Sequence, residues 1–304
     1  MLAFLMVVGP GEATLAIDTL SHCLRLYRDS WSLVRDDATS DGTYEILQEF
    51  ADTYRPRVLL ERNSQACGYS GIAVSIFNAF DSLWTKLPDT DLVVRIDPDC
   101  CVLRAGLVEL AQKRFSEAGP GILGSYRVSP EGEVRDHSYH RKSIFHDLRF
   151  VGRDAATKRL RLGFPFYSRY LFRAIANGYR LGDHVLASLV VLHGDTFRAL
   201  SRSGYWRSIP LSGSCHTKAD DPLISLGVMS VGHKLIDIND PKKGEVNTWV
   251  KYQGPLKATA QEIVARKYLA VHPLKGDETG RRLREELRKL MAKEEALSEF
   301  LSAA

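Results

Sequence analysis

The sequence predicts an α/β fold in which a mostly parallel sheet is flanked by helices. Two observations lead to this prediction. Short apolar runs alternate with segments of helical periodicity through the first hundred residues, as in consecutive βαβ units. Acidic residues directly follow the second and fourth apolar runs, at the strand ends where such a sheet binds its ligand.

The first hundred residues divide into four predicted strands and three predicted helices. Each strand is a short apolar run, and each helix has apolar residues at a spacing of three or four. In chain order they are a strand at about 2–8, a helix at about 12–27, a strand at about 31–35, a helix around 46–50, a strand at 58–60, a helix around 72–80 and a strand at 92–96. We interpret this region as one half of a nucleotide-binding domain.

The second half of the chain is less regular. We predict a strand at 122–126, a polar excursion at 129–146, an aromatic-rich helix at 167–177, a buried strand or helix at 185–192, a helix from 221 and a charged amphipathic helix at 277–304. The last helix differs in composition from everything before it. We therefore predict one domain at 1–276, with halves at 1–100 and 101–276, followed by a separate helix.

The composition is that of an ordinary globular protein. The chain has 304 residues, of which 44% are hydrophobic, and its net charge of +4 is too small to indicate nucleic-acid binding. Its five cysteines form no disulfide or zinc pattern and favour a reducing compartment. The apolar N-terminus lacks the basic residues of a signal peptide, and no run is long enough to span a membrane. We expect a cytoplasmic protein; peripheral contact with the inner face of the membrane and homo-oligomer formation stay open.

Asp97 and Asp99 follow the apolar run Leu92–Ile96 and are the most informative pair in the chain. In extended backbone, residues two apart point to the same side, so the two carboxylates can share one cation. Hard oxygen ligands suit Mg²⁺ or Mn²⁺. The alternative is a solvated Asp-Pro-Asp turn after the strand.

Asp36 and Asp37 end the second predicted strand, where such a sheet presents polar side chains to a nucleoside. Alternatively, these acids and Asp41 turn the chain into the next helix and cap it. A dinucleotide site at Gly9-Pro10-Gly11 is not favoured. The third glycine of that fingerprint is missing, and Glu12 would lie where the pyrophosphate binds.

Several segments resemble, in the expected order, the motifs of the inverting glycosyltransferases of family 2. They are Asp36-Asp37-Ala38-Thr39-Ser40-Asp41-Gly42-Thr43, similar to D-D-x-S-x-D-G-T; Arg62-Asn63 with Gly68, Gly71 and Asn78, similar to R-N-x-G-x-x-x-A-x-N; Asp97-Pro98-Asp99, similar to D-x-D; and Asp220-Asp221-Pro222-Leu223-Ile224 before Gly232-His233-Lys234-Leu235, similar to the E-D-x-x-L helix and the strand after it. The sequence departs from the pattern at Arg95, where an apolar residue is usual.

The resemblance implies a GT-A fold and an inverting transfer of a sugar from a nucleotide-diphosphate sugar to an acceptor hydroxyl. A UDP-sugar is the first choice of donor, bound by 1–100. The half at 101–276 would bind the acceptor, which is a saccharide, a lipid-linked molecule or a protein. The implied cofactor is Mn²⁺ or Mg²⁺.

The resemblance also implies roles for individual residues. Asp97, Asp99 and His272 would bind the metal, Lys275 the diphosphate, Asp36 and Asp37 the uracil and ribose, Arg62 the donor, and Asp221 would be the catalytic base. Because His272 and Lys275 lie in a short segment before the charged tail, we expect 271–275 to be a lid that orders over the bound donor and is not a fixed part of the sheet.

Alternatives accompany each of these roles. Asp221 before Pro222 is also typical of a helix N-cap, and His272-Pro273 of an exposed turn. The tract with His137, His140 and His146 is too loosely spaced for zinc, and we expect these histidines on the acceptor side or in solvent. The competing functions are a sugar nucleotidyltransferase and a non-catalytic scaffold of the same fold that binds a partner through its charged helix.

Overall fold

The computed structural model describes residues 1–68, 71–149, 151–153, 160–212, 220–251 and 258–303. The strands are β1 (Leu2–Val8), β2 (Trp31–Asp36), β3 (Val58–Arg62), β4 (Leu92–Ile96), β5 (Cys101–Val102), β6 (Gly121–Gly124), β7 (Val151–Arg153), β8 (Leu160–Leu162), β9 (Leu189–His193), β10 (Lys234–Asp237), β11 (Thr248–Val250) and β12 (Ala270–His272). The helices are α1 (Ala13–Leu26), α2 (Thr43–Thr53), α3 (Ile72–Lys86), α4 (Leu107–Ala118), α5 (Ser138–Arg149), α6 (Gly163–Ala176), α7 (Gly194–Arg202), α8 (Tyr205–Ser212), α9 (Asp220–Ser230), α10 (Ala260–Ala265) and α11 (Glu278–Ala303).

Seven strands form the central sheet, in the order β10-β6-β9-β4-β1-β2-β3. Strand β9 is antiparallel to both of its neighbours, and the other neighbouring pairs of this sheet are parallel. The sheet is therefore mostly parallel, as predicted. The carboxyl ends of β1, β2 and β4 lie at one edge, which places Gly9, Asp37 and Asp97 near one another.

Helices cover both faces of the sheet because its central strands are apolar on both sides. Ala3, Leu5 and Val7 of β1 pack in a core with α3, α6, α8 and α9, while the alternating Phe4, Met6 and Val8 pack in a core with α1, α2 and α4. The period of two along β1 thus divides one strand between two cores.

Helix α9 is held closely against α8, and this contact places the acidic start of α9. Tyr205 of α8 donates a 2.5 Å hydrogen bond to the carbonyl of Leu223. A Cβ at Gly227 would lie 2.3 Å from the Tyr205 ring, so only glycine permits this approach.

A second sheet, in the order β11-β12-β5, lies beside the aspartates that follow β4. Strand β5 begins two residues after Asp99, and β12 pairs with it in antiparallel register, Val271 opposite Cys101. His272 ends β12 and so lies next to Asp99. The prediction that 271–275 is a lid outside the sheet is wrong for 271 and 272, because both belong to a strand paired on two sides.

Helix α11 packs on the domain by its apolar stripe. Leu287 and Met291 lie in a core with α10 and β12. The buried Arg284 donates 3.1 Å hydrogen bonds to the carbonyls of Pro98 and Cys100 and pairs with Asp18 at 2.8 Å. The first turns of the charged helix therefore support the loop that carries Asp97 and Asp99.

Two predictions for the second half need correction. The region 129–146 is not only a polar excursion, since α5 begins at Ser138; at 185–192, the strand starts only at Leu189. Among the described residues, no helix combines the length and the apolar character that crossing a membrane requires.

Candidate active site

A cleft of about 480 Å³ opens at the carboxyl ends of β1 and β4. Its lining comes from the loops after β1, β2 and β4, from Gly68 and Ile72, from the segment before β9, from the start of α9 and from the end of β12 with the segment after it. The polar members of the lining are Glu12, Asp37, Arg95, Asp97, Asp99, Ser188, Asp220, Asp221, His272 and Lys275.

Asp97, Asp99 and His272 converge in this cleft. One ligand atom from each lies within 4.8 Å of the others. Nε2 of His272 lies 3.1 Å from Oδ1 of Asp99 and 3.9 Å from Oδ2 of Asp97. Its Nδ1 donates a 2.9 Å hydrogen bond to the carbonyl of Lys251, which turns Nε2 toward the two aspartates, the nitrogen that a metal would use.

A cationic side chain holds the second oxygen of each carboxylate. Oδ1 of Asp97 lies 2.8 Å from Arg95, and Oδ2 of Asp99 lies 2.9 Å from Nζ of Lys275. Two carboxylate oxygens and one imidazole nitrogen are therefore turned toward one another. This donor set fits a divalent cation such as Mn²⁺.

Burial and neighbouring charges have opposite effects on the pKa values of the acids in the cleft. Burial raises the pKa of Asp99, but the hydrogen bonds and charges of His272 and Lys275 outweigh it and hold that pKa well below its usual range. Burial and the nearby Asp97 and Asp99 raise the pKa of Glu12, whose Oε2 accepts a 2.7 Å hydrogen bond from the backbone of Gly9. The excess of carboxylates means that a polyphosphate would need a cation between itself and this wall.

Asp220 and Asp221 lie at the start of α9 on the other side of Arg95. The Arg95 guanidinium lies 3.3 Å from Oδ2 of Asp220. Oδ1 of Asp221 accepts a 2.6 Å hydrogen bond from the backbone N–H of Ala187, and the carbonyl of Ala187 accepts one from Arg95. One peptide segment therefore positions both the arginine and Asp221.

Burial and the neighbouring Asp220 raise the pKa of Asp221 to about 7. Burial also raises the pKa of Asp220. A carboxylate with such a pKa, at the surface of a cleft, accepts a proton near neutral pH. Its bond to Ala187 links Asp221 to the segment before β9, whereas the N-cap alternative requires a bond to its own helix.

The structure places only part of the predicted nucleoside site in the cleft. Asp37 lines it and accepts hydrogen bonds from Asn63 (2.7 Å) and from the backbone of Gly68 (2.9 Å). Asp36 is fully buried away from it, accepts from Thr39 and pairs with Arg62 at 3.2 Å. Asp36 and Arg62 therefore contact each other at the turn after β2 and do not line the cleft. Asp36 and Asp37 differ in this way because consecutive residues of extended backbone point to opposite sides.

Sequence reasoning missed Glu12, Arg95 and Asp220 as cleft residues. Glu12 entered only as an objection to a dinucleotide site, and Asp220 only as part of a motif. Arg95 had a usable signal, since an arginine inside an apolar strand needs a buried partner.

His140 and His184 form a buried cluster behind Asp221, so the expectation of solvent exposure is wrong for His140. One atom of each lies within 4.8 Å of an oxygen of Asp221. A guanidinium nitrogen of Arg135 lies 3.0 Å from Nε2 of His184, whose Nδ1 contacts the carbonyl of Gly182 at 2.8 Å. Both imidazole nitrogens of His184 are engaged, and the adjacent arginine disfavours a second cation here.

Some sequence features lie outside the described residues. These are Cys215, Lys218 and Ala219, together with the side chains of His146 and of the rings at 164, 166 and 167.

No family model matches this sequence, and no curated protein matches it. Solved structures do match. The galactosyltransferase LgtC in complex with donor and acceptor sugar analogues is 10% identical, with 96% of this chain and 95% of that chain covered and a TM-score of 0.50. Mannosyltransferase PcManGT from Pyrobaculum calidifontis, in complex with GDP-Man and Mn²⁺, is 14% identical, with 78% of this chain covered and a TM-score of 0.46. Mouse xyloside xylosyltransferase 1 is 12% identical, with 91% of this chain and 98% of that chain covered and a TM-score of 0.44.

The chain spans about half of the mannosyltransferase, 54% of its length. At these identities the likeness concerns the fold, and it identifies the mostly parallel sheet with its flanking helices as a GT-A glycosyltransferase fold. The predicted fold class is therefore confirmed.

Proposed function

We propose that this protein is a metal-dependent glycosyltransferase that uses a nucleotide-diphosphate sugar. The observation that carries the proposal is the meeting of Asp97, Asp99 and His272 in a cleft that also contains Asp221. The GT-A fold supports it. Among the described residues, the free cysteines are the buried Cys23, Cys100 and Cys101 and the half-buried Cys67, which is compatible with action in the cytoplasm.

The donor is proposed to lie with its nucleoside near Asp37 and its diphosphate near Asp99. Asp37 lines the cleft together with Gly9, Pro10 and Gly68, and the absence of side chains at the glycines would let a ligand approach the backbone closely. Lys275 extends over Asp99, and its Nζ would be a point charge beside the phosphates. A UDP-sugar remains the first choice of donor, on the resemblance of Asp36-Asp37 to the family motif.

Asp97, Asp99 and His272 would hold a divalent metal, proposed to be Mn²⁺ or Mg²⁺. When bound, the metal neutralises the negative charge that develops on the departing diphosphate. Arg95 and Lys275 keep the carboxylate oxygens of Asp97 and Asp99 turned toward His272. The chain thus fixes the ligand geometry before the donor arrives.

Asp221 is proposed as the general base. Its carboxylate would accept the proton of the acceptor hydroxyl while that oxygen attacks the anomeric carbon and the bond to the diphosphate breaks. A single displacement of this kind inverts the anomeric configuration. The hydrogen bond from Ala187 orients the carboxylate, and its raised pKa suits proton transfer near neutral pH.

A sugar nucleotidyltransferase fits the cleft less well. Such an enzyme grips a triphosphate with a basic loop after the first strand. Here that loop contributes Gly9, Pro10 and Glu12 to the cleft, and none of these is basic.

The test is nucleotide binding followed by donor turnover. UDP with Mn²⁺ should raise the unfolding temperature, since a ligand at about 100 times its Kd stabilises by about 2.7 kcal/mol. UDP without metal should have a much smaller effect. A hydrolysis screen over UDP-, GDP- and TDP-sugars then identifies the donor. If no nucleoside diphosphate stabilises the protein with Mn²⁺ or Mg²⁺, the scaffold alternative replaces the enzyme.

A further inference from the structure

Exposed apolar side chains are concentrated on one part of the surface. Among the side chains that the structure describes, seven large apolar ones are exposed, and five of these lie between 134 and 175. They are Val134, Tyr139, Phe145, Phe172 and Ile175, with exposed fractions of 83%, 73%, 47%, 62% and 51%. Single exposed apolar residues are common, but a cluster of aromatic and aliphatic ones indicates a contact surface.

Four of these side chains lie on two helices that pack against each other, α5 and α6. Ile144 of α5 and Tyr170, Leu171 and Ala174 of α6 lie in the same core. Because the inner faces of both helices contact one core, both outer faces point away from that core. We call the outer faces of the two helices, which carry the exposed Tyr139, Phe145, Phe172 and Ile175, the α5–α6 face.

The same face is basic. Arg141, Lys142 and Arg149 of α5 and Arg169 and Arg173 of α6 are exposed. Residues 134–180 contain 11 Lys and Arg against three Asp, a formal charge of +8, whereas the whole chain carries +4. The rest of the chain therefore carries −4, so the net positive charge of the chain comes from this stretch of the sequence.

The long charged helix α11 offers a contrast. Its exposed residues include Arg281, Arg282, Glu285, Lys289 and Glu294, in which both signs alternate. No large apolar side chain is exposed on the part of α11 whose side chains are described. This helix has the character of an ordinary solvated face and does not combine basic with apolar groups.

We propose that the α5–α6 face docks on an anionic lipid membrane. Basic side chains next to exposed aromatic and aliphatic ones match the two parts of a membrane surface. Lys and Arg are attracted to the anionic headgroups, and Phe, Tyr and Ile enter the boundary between headgroups and acyl chains. Nucleic acid would use the charge but not the aliphatic groups.

The face lies close to the acceptor side of the cleft. Helix α6 packs against α9, which carries Asp220 and Asp221 at its start, and His140 of α5 lies near Asp221. Docking by this face would bring a membrane-embedded acceptor hydroxyl near the proposed base. The membrane proposal does not rest on the glycosyltransferase proposal, because the vesicle experiment below needs no turnover.

The experiment is cosedimentation of the full chain with vesicles of phosphatidylcholine alone and with vesicles in which about a third of the lipid is phosphatidylglycerol. Binding is expected to the anionic vesicles only and should weaken as salt rises. The triple variant Lys142→Gln, Arg169→Gln, Arg173→Gln should bind roughly 100-fold more weakly, at about fivefold for each basic residue. A second variant, Phe145→Gln with Ile175→Gln, should lose the binding that persists at high salt.

The matched control is Arg282→Gln, Lys289→Gln, Lys293→Gln, which removes the same charge from exposed positions of α11. It should bind vesicles within about threefold of the wild type if binding is specific to the α5–α6 face. Unchanged unfolding temperatures would show that the variants fold. Equal losses in both triple variants, or no binding of the wild type to anionic vesicles, would overturn the proposal. So would a dimer that the 145/175 variant abolishes, or duplex DNA binding in place of vesicle binding; these results would assign the face to a second copy or to nucleic acid.

Discussion

The guanidinium of Arg95 lies 2.8 Å from Oδ1 of Asp97, and the same nitrogen lies 3.3 Å from Oδ2 of Asp220. One buried cation therefore joins the loop that would bind the metal to the helix that carries the proposed base. Burial opposes the charged form of Arg95, but Asp97 and Asp220 outweigh it and keep its pKa above the ordinary value.

Replacing Arg95 should destabilise the fold, because Asp97 and Asp220 would both lose their positive partner. Arg95→Met leaves two partly buried carboxylates without their cation and should lower the free energy of unfolding at pH 7 by about 3 kcal/mol. Arg282→Met, which removes an exposed pair with Glu286, should cost about 0.5 kcal/mol at most. The double variant Arg95→Met, Asp220→Asn should recover part of the loss, because one unpaired charge is gone. Chemical denaturation measures all three; equal effects of the two single changes would contradict the role of Arg95.

Asp99 should be essential for metal binding. Asp99→Ala removes the oxygen that lies 3.1 Å from His272, and we expect Mn²⁺-dependent UDP binding to weaken by at least about 100-fold while the fold stays intact. Asp89→Ala, at an exposed acid away from the cleft, is the control. Isothermal calorimetry with UDP and Mn²⁺ decides the matter, and an unchanged affinity in Asp99→Ala would remove Asp99 from the metal site.

Asp221 should affect transfer far more than binding. In Asp221→Asn the amide oxygen can still accept the hydrogen bond from Ala187, so donor affinity should persist, while transfer should fall by ~10²–10⁴-fold, the usual effect of losing a general base. Asp220→Asn tests the neighbouring carboxylate. If Asp220→Asn loses transfer and Asp221→Asn retains it, the base is Asp220.

The pH dependence of transfer should report Asp221. The carboxylate must be unprotonated to act, so the rate at saturating metal should rise as pH increases through about 7 and then level off. The groups facing Asp221 that set this value are Asp220, Arg95 and Arg135. The residual transfer rate of Asp221→Asn should not depend on pH over this range. A wild-type rate that is constant from about pH 5.5 to 8.5 would contradict this assignment.

The carboxyl group of Asp221 should also make the stability of the fold depend on pH. Stability should fall with rising pH, whereas the rate of transfer should increase. The pKa of Asp221 in the folded protein lies above its ordinary value of 3.8, so protonation stabilises the fold. That contribution is complete below about pH 4 and is lost as pH rises through about 7. Asp221→Asn should therefore gain stability relative to the wild type between pH 4 and 8, measured by denaturation at each pH. If the difference in stability between Asp221→Asn and the wild type does not change with pH, the pKa of Asp221 is the same in the folded and unfolded states.

Strand β12 should be ordered without ligand. Residues 270–272 pair with β5 and β11, so their backbone amides should exchange slowly with and without UDP and Mn²⁺. Exposed residues 276–279 serve as the comparison within the same measurement. Fast exchange at 270–272 that slows on adding UDP and Mn²⁺ would restore the lid.

Some features of the site follow from local sequence. The apolar runs and their period fix β1, β2 and β4, and the parallel arrangement brings the ends of these strands to one edge. Asp97 and Asp99 could be placed at that edge because a strand and a proline determine where they lie. Asp221 could be placed at a helix start for the same kind of reason.

Only the tertiary structure decided which distant groups meet there. The antiparallel pairing of β12 with β5 brings His272 to Asp99 across more than 170 positions of chain, and no local pattern encodes that pairing. Asp36 and Asp37 are adjacent aspartates, yet Asp36 bonds within the turn after β2 and Asp37 lines the cleft. The burial of Arg95 between Asp97 and Asp220 likewise depends on how α9 packs beside β4. Sequence by itself determines short-range geometry through propensity and period, whereas the partner of a charge depends on packing between elements that are far apart in the chain.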